Sequence, residues 1–149
     1  MQQLKLPTYP LRLKKIGSEQ KIYDILRRKY VVLTPEEWVR QNFIHYLINH
    51  KGYTAQLMAN EVNLSLNGTT KRCDSVLYAK DLHPLMIIEY KRPDVKITQK
   101  VFDQICRYNM VLHVDYLIVS NGMEHYCCRI DYAARTYCFL EDIPTYAEL

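Results

Sequence analysis

The chain has 149 residues, 48% hydrophobic and 24% charged, with a formal net charge of +4. That length fits one domain and lets roughly 68–70% of the unfolded surface be buried, so no disulfide scaffold is needed to hold a core. No stretch approaches 18 apolar residues, which excludes a membrane-spanning helix, and the mild basic excess permits a polyanionic partner without requiring one.

Residues 1–17 carry Pro7, Pro10 and Gly17 and read as an irregular arm. Residues 21–33, with the basic run Arg27-Arg28-Lys29 followed by YVVL, read as short strands or an extended connection. Thr34-Pro35-Glu36-Glu37 then starts a helix: Thr34 can cap, Pro35 fits the first helical position, and two acids suit the positive end of the dipole. Val39, Phe43 and Leu47, with Ile44 and Ile48 beside them, give that helix a buried stripe, and Gly52 ends it. Trp38 reads as core.

A strand is expected over 57–66, a tight turn at Asn67-Gly68, a second strand over 72–79 and a turn at 81–84. The third strand, LMIIEY at 85–90, is apolar on both faces, as a central strand covered on both sides should be. A second helix spans 98–112 with the stripe Val101, Ile105, Tyr108 and Leu112, then come a strand at 114–120 and two more strands within 124–140. The order predicts an α/β fold, an α+β mixed sheet with helices packed on it. We expect one domain over 1–149: an arm at 1–33, a core at 34–122 and a C-terminal strand extension at 123–149.

Cys73, Cys106, Cys127, Cys128 and Cys138 are odd in number and never spaced C-x-x-C, which argues against zinc and disulfides. Reduced thiols, and an N-terminus without the apolar run of a signal peptide, point to the cytoplasm. His45, His50, His83, His113 and His125 show no metal-ligand spacing.

In the hairpin of the second and third strands, position 74 falls opposite 89 or 91. Either register puts Asp74 on one face with Glu89 and Lys91, beside Val76, Tyr78, Leu85 and Ile87, because side chains alternate with period two. Two carboxylates converging on an apolar surface repel, and a divalent cation relieves that repulsion. Such oxygen donors suit magnesium, which needs only one or two carboxylates. Lys91 is placed to orient water or to neutralise charge on phosphoryl oxygens. The competing reading of these three residues is a plain salt-bridge cluster.

Asp74, fifteen residues before Glu89 in Ile87-Ile88-Glu89-Tyr90-Lys91, resembles the D…ExK core of PD-(D/E)XK nucleases; Cys73 replaces the proline that often precedes the Asp. Gln104-Ile105-Cys106-Arg107-Tyr108, thirteen residues past Lys91, resembles the Q-x-x-x-Y motif of the branch containing the N-terminal nuclease region of type I restriction enzyme R subunits. The resemblance covers about residues 34–122. It implies an αβββαβ restriction-endonuclease-like core, Mg²⁺ dependence with Mn²⁺ as a substitute, and hydrolysis of DNA phosphodiesters by an endonuclease. It implies Asp74 and Glu89 as metal ligands, Lys91 as the catalytic amine, and Glu36 as the acid on the first helix, with Glu37 the alternative because Arg40 follows both. Gln104 and Tyr108 would contact the site or the nucleic acid. Basic residues near the site (Lys71, Arg72, Arg92, Lys96, Lys100 and Arg107) are candidates for phosphate contacts. No phosphate-binding loop of a helicase motor is present, so the expected partners are DNA and other restriction or repair subunits, with no membrane.

Overall fold

The computed structural model describes residues 1–149. Three short strands come first: β1 (Leu13–Ile16), β2 (Glu19–Asp24) and β3 (Lys29–Val32). They form an antiparallel meander of their own. The expected irregular arm therefore contains a strand, β1; its four residues are all exposed, so no apolar alternation announces it.

Helix α1 (Pro35–His50) begins where the sequence predicts. Thr34 Oγ1 accepts a hydrogen bond from Glu37 N at 3.0 Å, satisfying one of the orphan amides of the first turn. A six-stranded sheet follows: β4 (Met58–Leu66), β5 (Thr69–Tyr78), β6 (Pro84–Tyr90), β7 (Tyr116–Ser120), β8 (His125–Asp131) and β9 (Thr136–Phe139), hydrogen-bonded in chain order. Helix α2 (Gln99–Met110) crosses between β6 and β7, the parallel pair; all other neighbours are antiparallel. Asn67 and Gly68 both adopt positive φ (50° and 78°), the backbone that a tight hairpin turn between β4 and β5 demands.

The sheet is covered on both faces. Val39, Phe43, Ile44 and Leu47 of α1 pack with Leu77, Met86, Ile88, Tyr90 and Ile118. Phe102 and Cys106 of α2 pack with Val76, Ile87, Leu117, Val119 and Cys128 on the other side. The central strand β6 thus sends alternate residues into two cores, which is why it lacks a polar face. Two expectations shift. Leu85 packs with the α1 core instead of sharing a face with Asp74, because the β5–β6 register slips between Leu77 and Tyr78. Helix α2 buries Phe102, Cys106 and Asn109, one position from the expected stripe, and leaves Tyr108 47% exposed. No helix is long and apolar enough to cross a membrane.

Candidate active site

The registered pairs of β5 and β6 run from Tyr78↔Pro84 to Ser75↔Ile88, which brings Asp74 beside Glu89 at the end of the ladder. There the Asp74 side chain turns to the neighbouring strand, and its Oδ2 accepts from Tyr90 N at 2.9 Å. The Glu89 carboxyl faces the Asp74 carboxylate on one side and the Asn109 side chain of α2 on another. Burial first, then the neighbouring Asp74 carboxylate, push the Glu89 pKa up to about 9, while Lys91 and Asn109 pull it down. Lys91 donates its backbone N–H to Ser120 O at 2.8 Å. Its ammonium enters no ion pair within 4.0 Å, so it remains available to an anion.

A polar network holds this pair from behind. Arg40, 8% exposed, donates Nη1 to Asp74 O at 2.9 Å and Nη2 to Glu61 Oε1 at 2.7 Å. Its Nε lies 3.1 Å from Glu37 Oε2, a close ion pair in which the N–H is not aligned for a hydrogen bond. Glu37 also accepts from Arg27 Nη2 and Gln41 Nε2, each at 3.0 Å. Arg27 bonds in turn to Asp24, which is fully buried and accepts from Asn60 Nδ2 at 3.0 Å. Ser75 Oγ donates to Asn60 Oδ1 at 2.5 Å, and Tyr90 OH donates to Ser75 Oγ at 2.9 Å. The carboxyls of Asp24 and Glu61 lie below their ordinary values: burial opposes, but the Asn60 and Arg27 bonds to Asp24, and the Arg40 and Arg72 bonds to Glu61, prevail.

Of the residues singled out in the sequence, the structure brings together Asp74, Glu89 and Lys91. It does not bring Glu36, which is exposed and makes no side-chain hydrogen bond; the inward acid of the first turn is Glu37. The helix rotation that buries Val39 and Arg40 decides between them. Gln104 is exposed and unbonded, and Tyr108 carries Lys71 Nζ 4.0 Å above its ring. Lys96, Lys100 and Arg107 are exposed, Arg92 pairs with Asp94 at 3.2 Å, and Arg72 pairs with Glu61 at 2.7 Å. Asn109 and Asp24 were missed. Asn109 sits one position after Tyr108, and seven after Phe102, so its inward aim follows from the true stripe of α2; nothing local to Asp24 marks it as buried.

The family model described as type I restriction enzyme R protein N terminus (HSDR_N) matches residues 35–144. The chain belongs to this family. The match begins at the first residue of α1 and contains Asp74, Glu89, Lys91, Gln104 and Tyr108, whereas β1, β2 and β3 precede it. Among solved structures, a fragment described as an HsdR subunit of a type I restriction enzyme from Vibrio vulnificus YJ016 superposes with a TM-score of 0.54 at 20% identity. The alignment covers 78% of this chain and 24% of that one, so the chain spans about a quarter of that structure, and the likeness is one of fold. No curated protein matches the chain.

Whether this R-subunit N-terminal domain suits a metal is a question of donors. No cluster of three or more His, Cys, Asp and Glu side chains is arranged around a point. Two adjacent carboxyls, with Glu89 held toward its neutral form by burial and by Asp74, are a pair of hard oxygen donors. That fits magnesium, which keeps several waters, and does not fit zinc. A cleft of about 440 Å³ between α2 and β9, lined by Phe102, Tyr126 and Phe139 among others, contains neither acid.

Proposed function

We propose that this domain is a magnesium-dependent DNA endonuclease of the PD-(D/E)XK type, acting in the cytoplasm within a restriction or repair assembly. The observation that carries the reading is the β5–β6 register that sets Asp74 beside Glu89, with the unpaired ammonium of Lys91 on the first residue past the end of β6. Membership of the R-protein N-terminal family supports it.

Asp74 and Glu89 would hold the ion, whose charge would take the place of the proton that Glu89 keeps beside Asp74. Magnesium supplies Lewis-acid stabilisation of phosphoryl charge and easier deprotonation of water; Mn²⁺ offers the same chemistry. Asp74 is fixed for this task by the Tyr90 amide and by Arg40 gripping its carbonyl. Glu89 would give up its proton to hold a dication, whose charge would offset the Asp74 charge that opposes its ionisation. Lys91 donates hydrogen bonds to the phosphoryl oxygens, where charge grows as water attacks phosphorus and the ester oxygen leaves. Glu37, buried between Arg27 and Arg40, orients the frame behind Asp74 and has no open path to the phosphate.

The test is supercoiled plasmid nicking with Mg²⁺ or Mn²⁺. Wild type cuts; Asp74→Ala and Glu89→Ala abolish cutting, and Lys91→Ala lowers the rate by about 10²–10³-fold, the usual loss for one charge-stabilising donor. A second reading, a nucleic-acid-binding or subunit-docking module that does no chemistry, is favoured by the Asp74 carboxylate being tied to the Tyr90 amide and by no third His, Cys, Asp or Glu joining the acid pair. It predicts salt-sensitive DNA binding that survives Glu89→Ala and no cleavage under any metal.

A further inference from the structure

We propose that the outer face of the β1–β2–β3 sheet is a DNA-backbone platform, distinct from the Asp74–Glu89 site; that its polyanion is DNA rests on the nuclease reading above. Residues 1–33 hold eight Lys and Arg against two Asp and Glu, a net charge of +6, while the remaining 116 residues sum to −2. The basic excess of the molecule is thus concentrated in this small sheet and the arm leading into it.

The sheet has an inner and an outer face. Ile22 and Asp24 of β2 are fully buried, so alternate positions Lys21 and Tyr23 face outward. Register places Lys14 opposite Lys21 and Tyr30 opposite Tyr23 on that same side. The guanidinium of Arg12 lies 4.1 Å from the Tyr23 ring centre, and Lys14 Nζ lies 4.0 Å from that of Tyr30. The two rings meet edge to face at 5.3 Å. Each ring therefore holds a cation in place without neutralising it. Lys14 lies directly opposite Lys21, and Glu19 on the same face offsets only Lys21, at 2.7 Å. Among the eight cations only Lys21 and Arg27 form ion pairs. Free positive charge held on a rigid surface is complementary to a line of phosphates.

The inner face joins this platform to the acid pair. Arg27, in the β2–β3 turn, bonds to Asp24 and Glu37, and Glu37 pairs with Arg40, whose guanidinium holds the Asp74 carbonyl. A strand of DNA held on the outer face is therefore fixed relative to Asp74 by a continuous polar frame, which a membrane-docking role would not need.

The test is fluorescence anisotropy of a labelled DNA duplex with the full chain in EDTA, so that cleavage plays no part. Arg12→Glu/Lys14→Glu is compared with a charge-matched control, Lys80→Glu/Arg135→Glu, which alters two exposed residues in other turns. The first pair lowers affinity about ten-fold or more at physiological salt and reduces the slope of log K against log salt by about 1.8, the value for two phosphate contacts, while the control does neither. Equal losses in both variants, or no loss in the first, overturns the platform. So does displacement of the DNA by phosphatidylserine vesicles more effectively than by unlabelled duplex. The nuclease reading fails separately, if the wild type does not cut with Mg²⁺ although the first variant has lost its DNA binding.

Discussion

Glu89 is the residue whose surroundings most oppose its charge, and this has a measurable sign. The folded chain holds it neutral up to about 9, whereas an unfolded chain ionises it near 4.5. Folding then takes up a proton, so the stability that Glu89 contributes is complete below 4.5 and is lost as pH rises through the interval to about 9. Without metal, Glu89→Gln should therefore melt higher than wild type at pH 8, by about 4 °C or more, with the gap closing as pH approaches 4.5; differential scanning calorimetry reads this directly. Asp24 and Glu61 act with the opposite sign: their lowered values stabilise the fold at neutral pH, and that contribution disappears on acidification. Arg40 is the other decisive residue. Arg40→Ala strips the counter-charge from Glu37 and Glu61 and should cost about 3–5 kcal/mol in chemical denaturation.

At the scale of elements, the hairpin was legible and the helices were legible except for rotation. Strand alternation and the turn at 81–84 were enough to put Asp74 and Glu89 on one face before any coordinates. Which acid of the α1 first turn faces inward was not legible, because adjacent helix positions differ by about 100° and the choice is made by Arg27 and Arg40, distant in sequence or a turn away. In α2 the stripe slipped by one residue for the same reason: Val101 and Phe102 are both apolar, and only the sheet beneath selects Phe102. Strand β1 stayed hidden because an exposed, basic strand carries no hydrophobic period, whereas β2 and β3 fall in the segment read as short strands or an extended connection. Two element-level losses are expected. Thr34→Ala removes the α1 cap and should cost about 1 kcal/mol. Gly122→Ala meets both a positive φ of 83° and a Cβ position 2.7 Å from Leu4 Cδ2; it should cost about 1–2 kcal/mol and loosen the N-terminal arm, seen as faster amide exchange at Lys5, whose N–H bonds to Gly122 O at 2.9 Å.

Over the whole molecule, a sheet clad on both faces supplies the frame, and the buried polar side chains Asp24, Glu37, Arg40, Asn60 and Ser75 gather behind the acid pair. The acid pair sits where β5 leaves the ladder, and the network from Asp24 to Arg40 ties the basic meander to it. The arrangement was readable in the sequence only as far as its local parts; the frame joining them is long-range and could not be. The most direct measurement is calorimetric titration of Mg²⁺ into wild type and Asp74→Ala, run in two buffers of different ionisation heat and paired with plasmid nicking. The account predicts binding by wild type with release of a proton from Glu89, DNA cleavage under the same conditions, and neither in the variant. Wild-type protein that takes up no magnesium and leaves the plasmid intact, or a variant that binds and cuts as well as wild type, would contradict it.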